Sequence, residues 1–282
     1  MAGTLFVVAT PIGNLEDISA RASRVLREVA LIAAEDTRHT GHLLQRFGIV
    51  TRTTSFHEHS DKGKAADLLE RLRSGDSIAL VSDAGTPGVS DPGQHLISMA
   101  HDAGIRVEPI PGASAVVTAV SSSGFPFDSF LFLGFPPTKP GERTRWFERI
   151  AAAKGIADLV VFYEAPHRID RTLNELHRRF GSVEVFIARE LTKSHESLKR
   201  ATLPVEVDAA RGEITVVINI GQTIDIEPTE APQPETLAHE FCLMTNESSL
   251  TRRQAIAALS RKYGLPAREV FAALETAKNS VR

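Results

Sequence analysis

A single cysteine, Cys242, occurs in the 282 residues. That scarcity excludes a disulfide within the chain and any cysteine-built zinc site, and it suits a reducing compartment. No apolar stretch approaches the roughly 20 residues that cross a bilayer, so no membrane partner is expected. Residues 1–14 lack a basic region followed by an apolar one, and a cytoplasmic address is expected. A basic excess is missing too. The formal net charge is −3, so any grip on nucleic acid must rest on local patches, not on the field of the whole molecule. Neither G-x-G-x-x-G between strand and helix nor G-x-x-x-x-G-K-[ST] occurs, which counts against ligands carrying a pyrophosphate.

What is present reads as a folded, multidomain protein, with 42% hydrophobic and 24% charged residues. Five β-rich runs, LFVVAT, ALIAA, RTTSF, SIALVS and RVEPI, alternate with helix-period segments at 17–29, 38–47, 64–73 and 92–103. Such alternation predicts a mostly parallel sheet covered on both faces, because parallel strands need crossovers. The rhythm restarts after SSSGFPFDS, with strands at FLFLGF, LVVFYEA, VEVFIARE and EITVVINI and helices at 142–153 and 169–180. Residues 200–208 look like an added hairpin arm, so this second sheet should be more mixed. The proline-rich, acidic GQTIDIEPTEAPQPE marks a linker. Beyond it lie helices at 234–244 and over 249–278, the latter broken at Gly264 with Pro266 placed to start the next. These helices form either a helix-turn-helix that touches nucleic acid or a small bundle that only packs or dimerises. The expected organisation is therefore α/β, with domains at 1–117 and 118–222, a linker at 223–233, and helices at 234–282.

The stretch VSDAGTPGVSDPG holds three glycines and two prolines directly after a strand. In an open parallel sheet, ligands gather beyond the carboxyl ends of strands, and glycine lets backbone groups approach them closely. S-adenosylmethionine, with a nucleoside end, a zwitterionic end and no phosphate chain, suits such a loop. Part of the stretch also has a purely structural reading. Asp91 followed by Pro92 makes a good helix start, with aspartate as cap and proline at the first helical position.

The motifs VVATPIGNLEDIS, AAEDTRHT, SFHEHS, VSDAGTPGVSDPG, PIPGASA, FYEAPHRI and ARELTKSHE occur in order between about Leu5 and Ile220. Together they resemble the tetrapyrrole-methylase superfamily, and within it the small-subunit ribosomal RNA methyltransferase I branch. The resemblance implies two α/β/α domains with S-adenosylmethionine between them, 2′-O-methylation of a decoding-centre cytidine in 16S rRNA, and a homodimer. It implies a cofactor cleft built from Pro11, Asp83, Ala84, Gly85, Thr86, Ser114 and Ala115. The second domain would add Phe162, Tyr163 and Leu191.

Methyl transfer to a hydroxyl depends first on positioning and then on a base within hydrogen-bond reach. The candidates are Glu35, His57 and Glu58. Alternation along SFHEHS puts His57 and His59 on one face, which gives two metal ligands without a third, so no metal is expected. Glu35 either accepts from the ribose or caps the following helix. Arg38 either binds phosphate or pairs with its acidic neighbours. Arg168, Arg189 and Lys193 are candidate RNA contacts, set against a reading as exposed ion pairs. Arg171, Arg178 and Arg179 extend that strip on helical spacing, and Trp146 either stacks on a base or belongs to a core. The competing functions are a methyltransferase for a tetrapyrrole or other small molecule, and a binding module without activity.

Overall fold

The structure, a computed structural model, describes residues 2–57, 62–207, 211–221, 234–246, 251–263 and 267–280. The chain divides into two compact units, Met1–Ile224 and Asp225–Arg282. The first contains both sheets. Strands β1 (Thr4–Val8), β2 (Leu31–Ala34), β3 (Thr53–Ser55), β4 (Ile78–Val81) and β5 (Arg106–Ile110) form a wholly parallel sheet in the order β3-β2-β4-β1-β5. Helices α1 (Ala20–Glu28), α2 (Thr37–Arg46), α3 (Lys62–Arg73) and α4 (Gln94–Asp102) make the crossovers. The four residues of β2 and of β4 are all buried, because helices cover both faces and leave no wet side on which polar residues could alternate.

Helix α5 (Ala115–Ser122) follows, with Ser114 as its cap. The sequence pattern does not predict it, since AVVTAVSS is rich in β-branched and serine residues that favour helix only weakly. Packing supplies what propensity lacks: Val116, Ala119 and Val120 are buried in a cluster with Leu159, Val161 and Val217 of the second sheet. The division expected at 117/118 falls inside this helix.

The second sheet has β6 (Phe130–Phe132), β7 (Leu159–Glu164), β8 (Glu184–Arg189), β9 (Ser197–Thr202) and β10 (Ile214–Asn219), ordered β6-β7-β10-β8-β9. Only β6 and β7 are parallel neighbours; the other three pairings are antiparallel, which matches the mixed sheet anticipated from the hairpin arm. Helices α6 (Pro140–Ala152) and α7 (Ile169–Phe180) cover one face. Trp146 is buried there edge-on to Phe147 and Phe162, so it belongs to a core and not to a base-stacking surface. The unit beyond the linker holds α8 (Pro234–Asn246), α9 (Arg252–Tyr263) and α10 (Ala267–Ser280), joined by Leu237, Leu259, Val270 and Leu274. The turn between α9 and α10 lies outside the described residues.

One sequence expectation fails at the start of α4. Asp91 and Pro92 do not open the helix; Gly93 is its N-cap, at φ 133°, with no side-chain capping bond. A Cβ at Gly93 would stand 2.8 Å from Leu80 Cδ2 on the buried β4, so the chain can pass close to the strand only without a side chain. Gly93→Ala should therefore cost about 1–3 kcal/mol through backbone strain and crowding. The measurement is the urea midpoint, and an unchanged midpoint would show that this approach is not constrained.

Candidate functional site

The loops after β1 and β4 are sewn together before they reach any ligand. Thr10 N–H donates to the Gly85 carbonyl at 2.8 Å, and Gly85 N–H returns a bond to the Thr10 carbonyl at 3.1 Å. The Thr10 hydroxyl adds a bond to the Ser82 carbonyl at 3.2 Å. Gly85 has φ 74°, a conformation that glycine adopts without penalty, and this bends the main chain of 84–86 toward the second sheet. The β8–β9 turn meets it from the other side, where Asn14 N–H donates to Thr192 Oγ1 at 2.9 Å.

Between these loops lies a cavity of about 300 Å³. Ala84, Gly85, Thr86, Ser114 and Ala115 line it from the first sheet, and Tyr163 and Leu191 from the second. Three residues expected beside them are elsewhere. Phe162 is fully buried and packs on Trp146 beneath α6, because side chains alternate along β7 and Leu159, Val161 and Tyr163 take the opposite face, toward α5. Pro11 and Asp83 border a separate small crevice with His39, Thr40 and Leu43. The Asp83 carboxylate accepts from Asp36 N–H at 3.0 Å, and Asp83 N–H donates to Glu35 Oε2 at 3.2 Å, so the two acidic residues latch the β2 and β4 loops to each other.

Other lining residues were missed. Asp91 and Ala165–Pro166 stand within motifs quoted above, but Asp91 was assigned to a cap. Glu213, Ile214 and Thr215 come to the cavity only through antiparallel pairing, which sets Ile214 opposite Glu164 and Thr215 opposite Tyr163. Ile12 and Phe135 complete the apolar walls.

The electrostatics are acidic. Burial pushes the Asp91 carboxyl up to about 6, helped by Glu35 and then by Asp83 and Glu213, while a bond from Ser82 pulls it down. Burial, then the charges of Asp91 and Glu213, pushes the Tyr163 phenol up to about 12. Glu164 is 1% exposed, yet its charge is met: it accepts from Ala165 N–H at 2.9 Å and Thr172 Oγ1 at 2.5 Å, and pairs with Arg168 Nε at 3.2 Å.

The family model for tetrapyrrole (corrin/porphyrin) methylases matches residues 4–205. The chain belongs to the tetrapyrrole methylases. A Synechocystis protein named ribosomal RNA small subunit methyltransferase I is 43% identical over 275 residues, covering 95% of this chain and 96% of its own. The protein of that name from Escherichia coli O157:H7 is 43% identical, covering 91% and 90%. Among solved structures, a diphthine synthase superposes with a TM-score of 0.61 at 17% identity, over 77% of this chain and 90% of that one. A Thermus thermophilus uroporphyrin-III C-methyltransferase complexed with S-adenyl homocysteine gives 0.53 at 18% identity, over 77% and 97%. These two likenesses establish the shared tetrapyrrole-methylase fold.

Within this methylase the other candidates separate. His57 is exposed beyond β3 and does not line the cavity, and Glu58 lies outside the described residues, as does His59. Arg38 is exposed, and its guanidinium pairs with the Asp36 cap at 2.8 Å, which holds the Asp36 carboxyl well below the usual range. Arg168, Arg189 and Lys193 are each engaged by acceptors of the fold. Arg168 donates to the Pro136 carbonyl besides pairing with Glu164. Arg189 Nε donates to the Arg211 carbonyl at 3.0 Å, and Lys193 bridges Glu190 at 2.9 Å and Glu213 at 3.0 Å. Arg179 lies over the Phe147 ring, whereas Arg171 stays exposed and reaches Glu175 only at 3.8 Å.

Arg168 thus serves the fold of the cavity floor. Arg168→Ala would leave the buried Glu164 without its cation and should cost about 3 kcal/mol. A thermal or urea melt reads this loss, and wild-type stability would show the pair to be dispensable.

Proposed function

We infer that the chain transfers a methyl group from S-adenosylmethionine to 16S ribosomal RNA of the small subunit, at the ribose 2′-oxygen of a decoding-centre cytidine. The observation that carries this reading is the near full-length likeness to proteins named for methylating small-subunit ribosomal RNA. The cavity supports it. Its walls are apolar at Ile12, Ala115, Ala188 and Leu191, which suits an adenosine, and bare main chain stands open at Gly85. Asp91 and Glu213 add negative charge beside them, and no lysine or arginine lines the cavity among the described residues, so a ligand with net positive charge is favoured.

Ala84, Gly85, Thr86, Ser114, Ala115, Tyr163 and Leu191 would hold the donor. When bound, the donor supplies an electrophilic methyl on a cationic sulfur. The protein's part is to fix the acceptor hydroxyl in line with that methyl, and positioning of this kind supplies much of the acceleration. The net charge of −3 argues for the assembled small subunit as acceptor, since shape and several local contacts must replace bulk attraction. A cytoplasmic site of action accords with the single cysteine, and the resemblance adds a homodimer, testable by sedimentation. Among the described residues, no helix is long and apolar enough to cross a membrane.

Calorimetric titration with S-adenosylmethionine should give binding, and labelled-methyl transfer should favour small subunits over free 16S rRNA. Mass spectrometry of the nucleosides should show a 2′-O-methylcytidine; a methylated tetrapyrrole with unlabelled RNA would favour the small-molecule reading instead. Arg38→Ala should leave donor affinity intact, weaken subunit binding, and reduce the salt slope of that binding by about 1. An unchanged slope would remove Arg38 from the RNA contact.

A further inference from the structure

We propose that Asp91 is the general base that takes the proton of the acceptor hydroxyl, in place of Glu35, His57 or Glu58. This rests on the methyltransferase reading above and adds the residue that activates the nucleophile. Four titratable side chains are among the residues lining the cavity: Asp91, Tyr163, Glu164 and Glu213. Glu164 is committed to a backbone amide, a hydroxyl and a guanidinium. Glu213 is 74% exposed and paired with Lys193. Tyr163, raised to about 12, stays protonated at neutral pH. Asp91 remains. Its place in the sequence suggested a helix cap, but Gly93 begins α4 without any side-chain bond, so the carboxyl is not used there.

The surroundings of Asp91 suit a proton acceptor. Tyr163 of β7 and Glu213 just before β10 share the cavity lining with it, the negative charges of Glu35 after β2 and of Asp83 after β4 also act on it, and the Ser82 hydroxyl is its favourable neighbour. Burial and three like charges raise its basicity to a level where the carboxylate still predominates at pH 7, which is what general-base catalysis requires. In the step, the hydroxyl O–H bond breaks and its proton goes to the Asp91 carboxylate. The oxygen bonds to the methyl carbon, and the methyl–sulfur bond breaks with its electron pair left on sulfur.

The test uses the full chain, small ribosomal subunits and S-adenosylmethionine, with donor affinity measured by calorimetry and kcat/KM for the donor followed over pH. For the wild type, kcat/KM should fall below about pH 6 and be level above it, since the base must be ionised in the free enzyme. Asp91→Asn should bind the cationic donor more weakly, since one cavity charge is lost, and at saturating donor should lose that limb and lower the transfer rate by roughly 100-fold or more. Asp91→Glu should keep the limb at a rate reduced by about tenfold or more, because the carboxylate is displaced. The assignment is overturned if Asp91→Asn keeps the wild-type rate and limb, or if it loses only donor affinity while saturated turnover is unchanged. Should the asparagine variant not fold, an Asp91→Ser variant that keeps the wild-type rate and limb overturns it equally. Wild-type protein that binds donor but methylates no small-subunit RNA would sink the functional reading together with the base, whereas an active wild type beside an active Asp91→Asn sinks the base alone.

Discussion

The paired hydrogen bonds between Thr10 and Gly85 are the constraint on which the rest of the site depends. Two loops leave the carboxyl ends of neighbouring parallel strands, and without a mutual tie each would be free to follow its own course. Closing them into a short antiparallel bridge turns two loops into one surface, and the left-handed Gly85 aims its main chain at the opposite sheet. Ile12, only two residues beyond Thr10, then enters the same apolar cluster as α5 and the inner face of the second sheet. One bridge therefore fixes both the loop that faces the ligand and the packing that joins the two sheets.

Charge is distributed with a consistent logic around that surface. The carboxylates that serve structure are matched: Glu164 by Arg168 and Thr172, Glu175 by the buried Arg143, Glu190 by Lys193. Each pairing satisfies a group that would otherwise be expensive to hold away from water. Asp91 is the exception in the cavity, left with like-charged neighbours and one hydroxyl. A binding site for a cationic donor tolerates such an imbalance because the ligand itself completes the electrostatics, and the same imbalance keeps a carboxylate basic enough to accept a proton.

The basic residues that the sequence offered either as RNA contacts or as ion pairs are engaged in ion pairs and carbonyl bonds. Arg168, Arg189 and Lys193 occur in motif-like, charged stretches that read either as an RNA-gripping strip or as ion pairs, and each is held by a carboxylate or a backbone carbonyl. Arg168 meets a buried carboxylate, which gains more from a cation than water could supply, whereas Arg189 and Lys193 bond at the surface, and sequence spacing carries no record of which acceptors lie within reach. Arg38 stays outside because its partner, Asp36, is itself a cap on the surface.

Much of the fold was legible from local patterns. Continuous apolar runs located the central, fully buried β2 and β4, β-branched residues between helix-period segments located the less buried β3 and β5, and the sequence reads α7 at its full extent, because burial and 3.6-residue periodicity are written directly into residue order. The glycine loop was legible too, since its strand-end position and its composition are properties of a few adjacent residues. What residue order left undecided was which side of a strand faced the cavity, which is why Phe162 was placed beside Tyr163, and whether Asp91 ended in a cap or in a cleft. Helix α5, with its weak propensity, and Glu213–Thr215, brought in by pairing with β7, were decided by tertiary contact alone. The amino-acid sequence determined the elements, the bare loop and the family; the assembled sheets decided which side chains meet, because facing and pairing depend on partners distant along the chain.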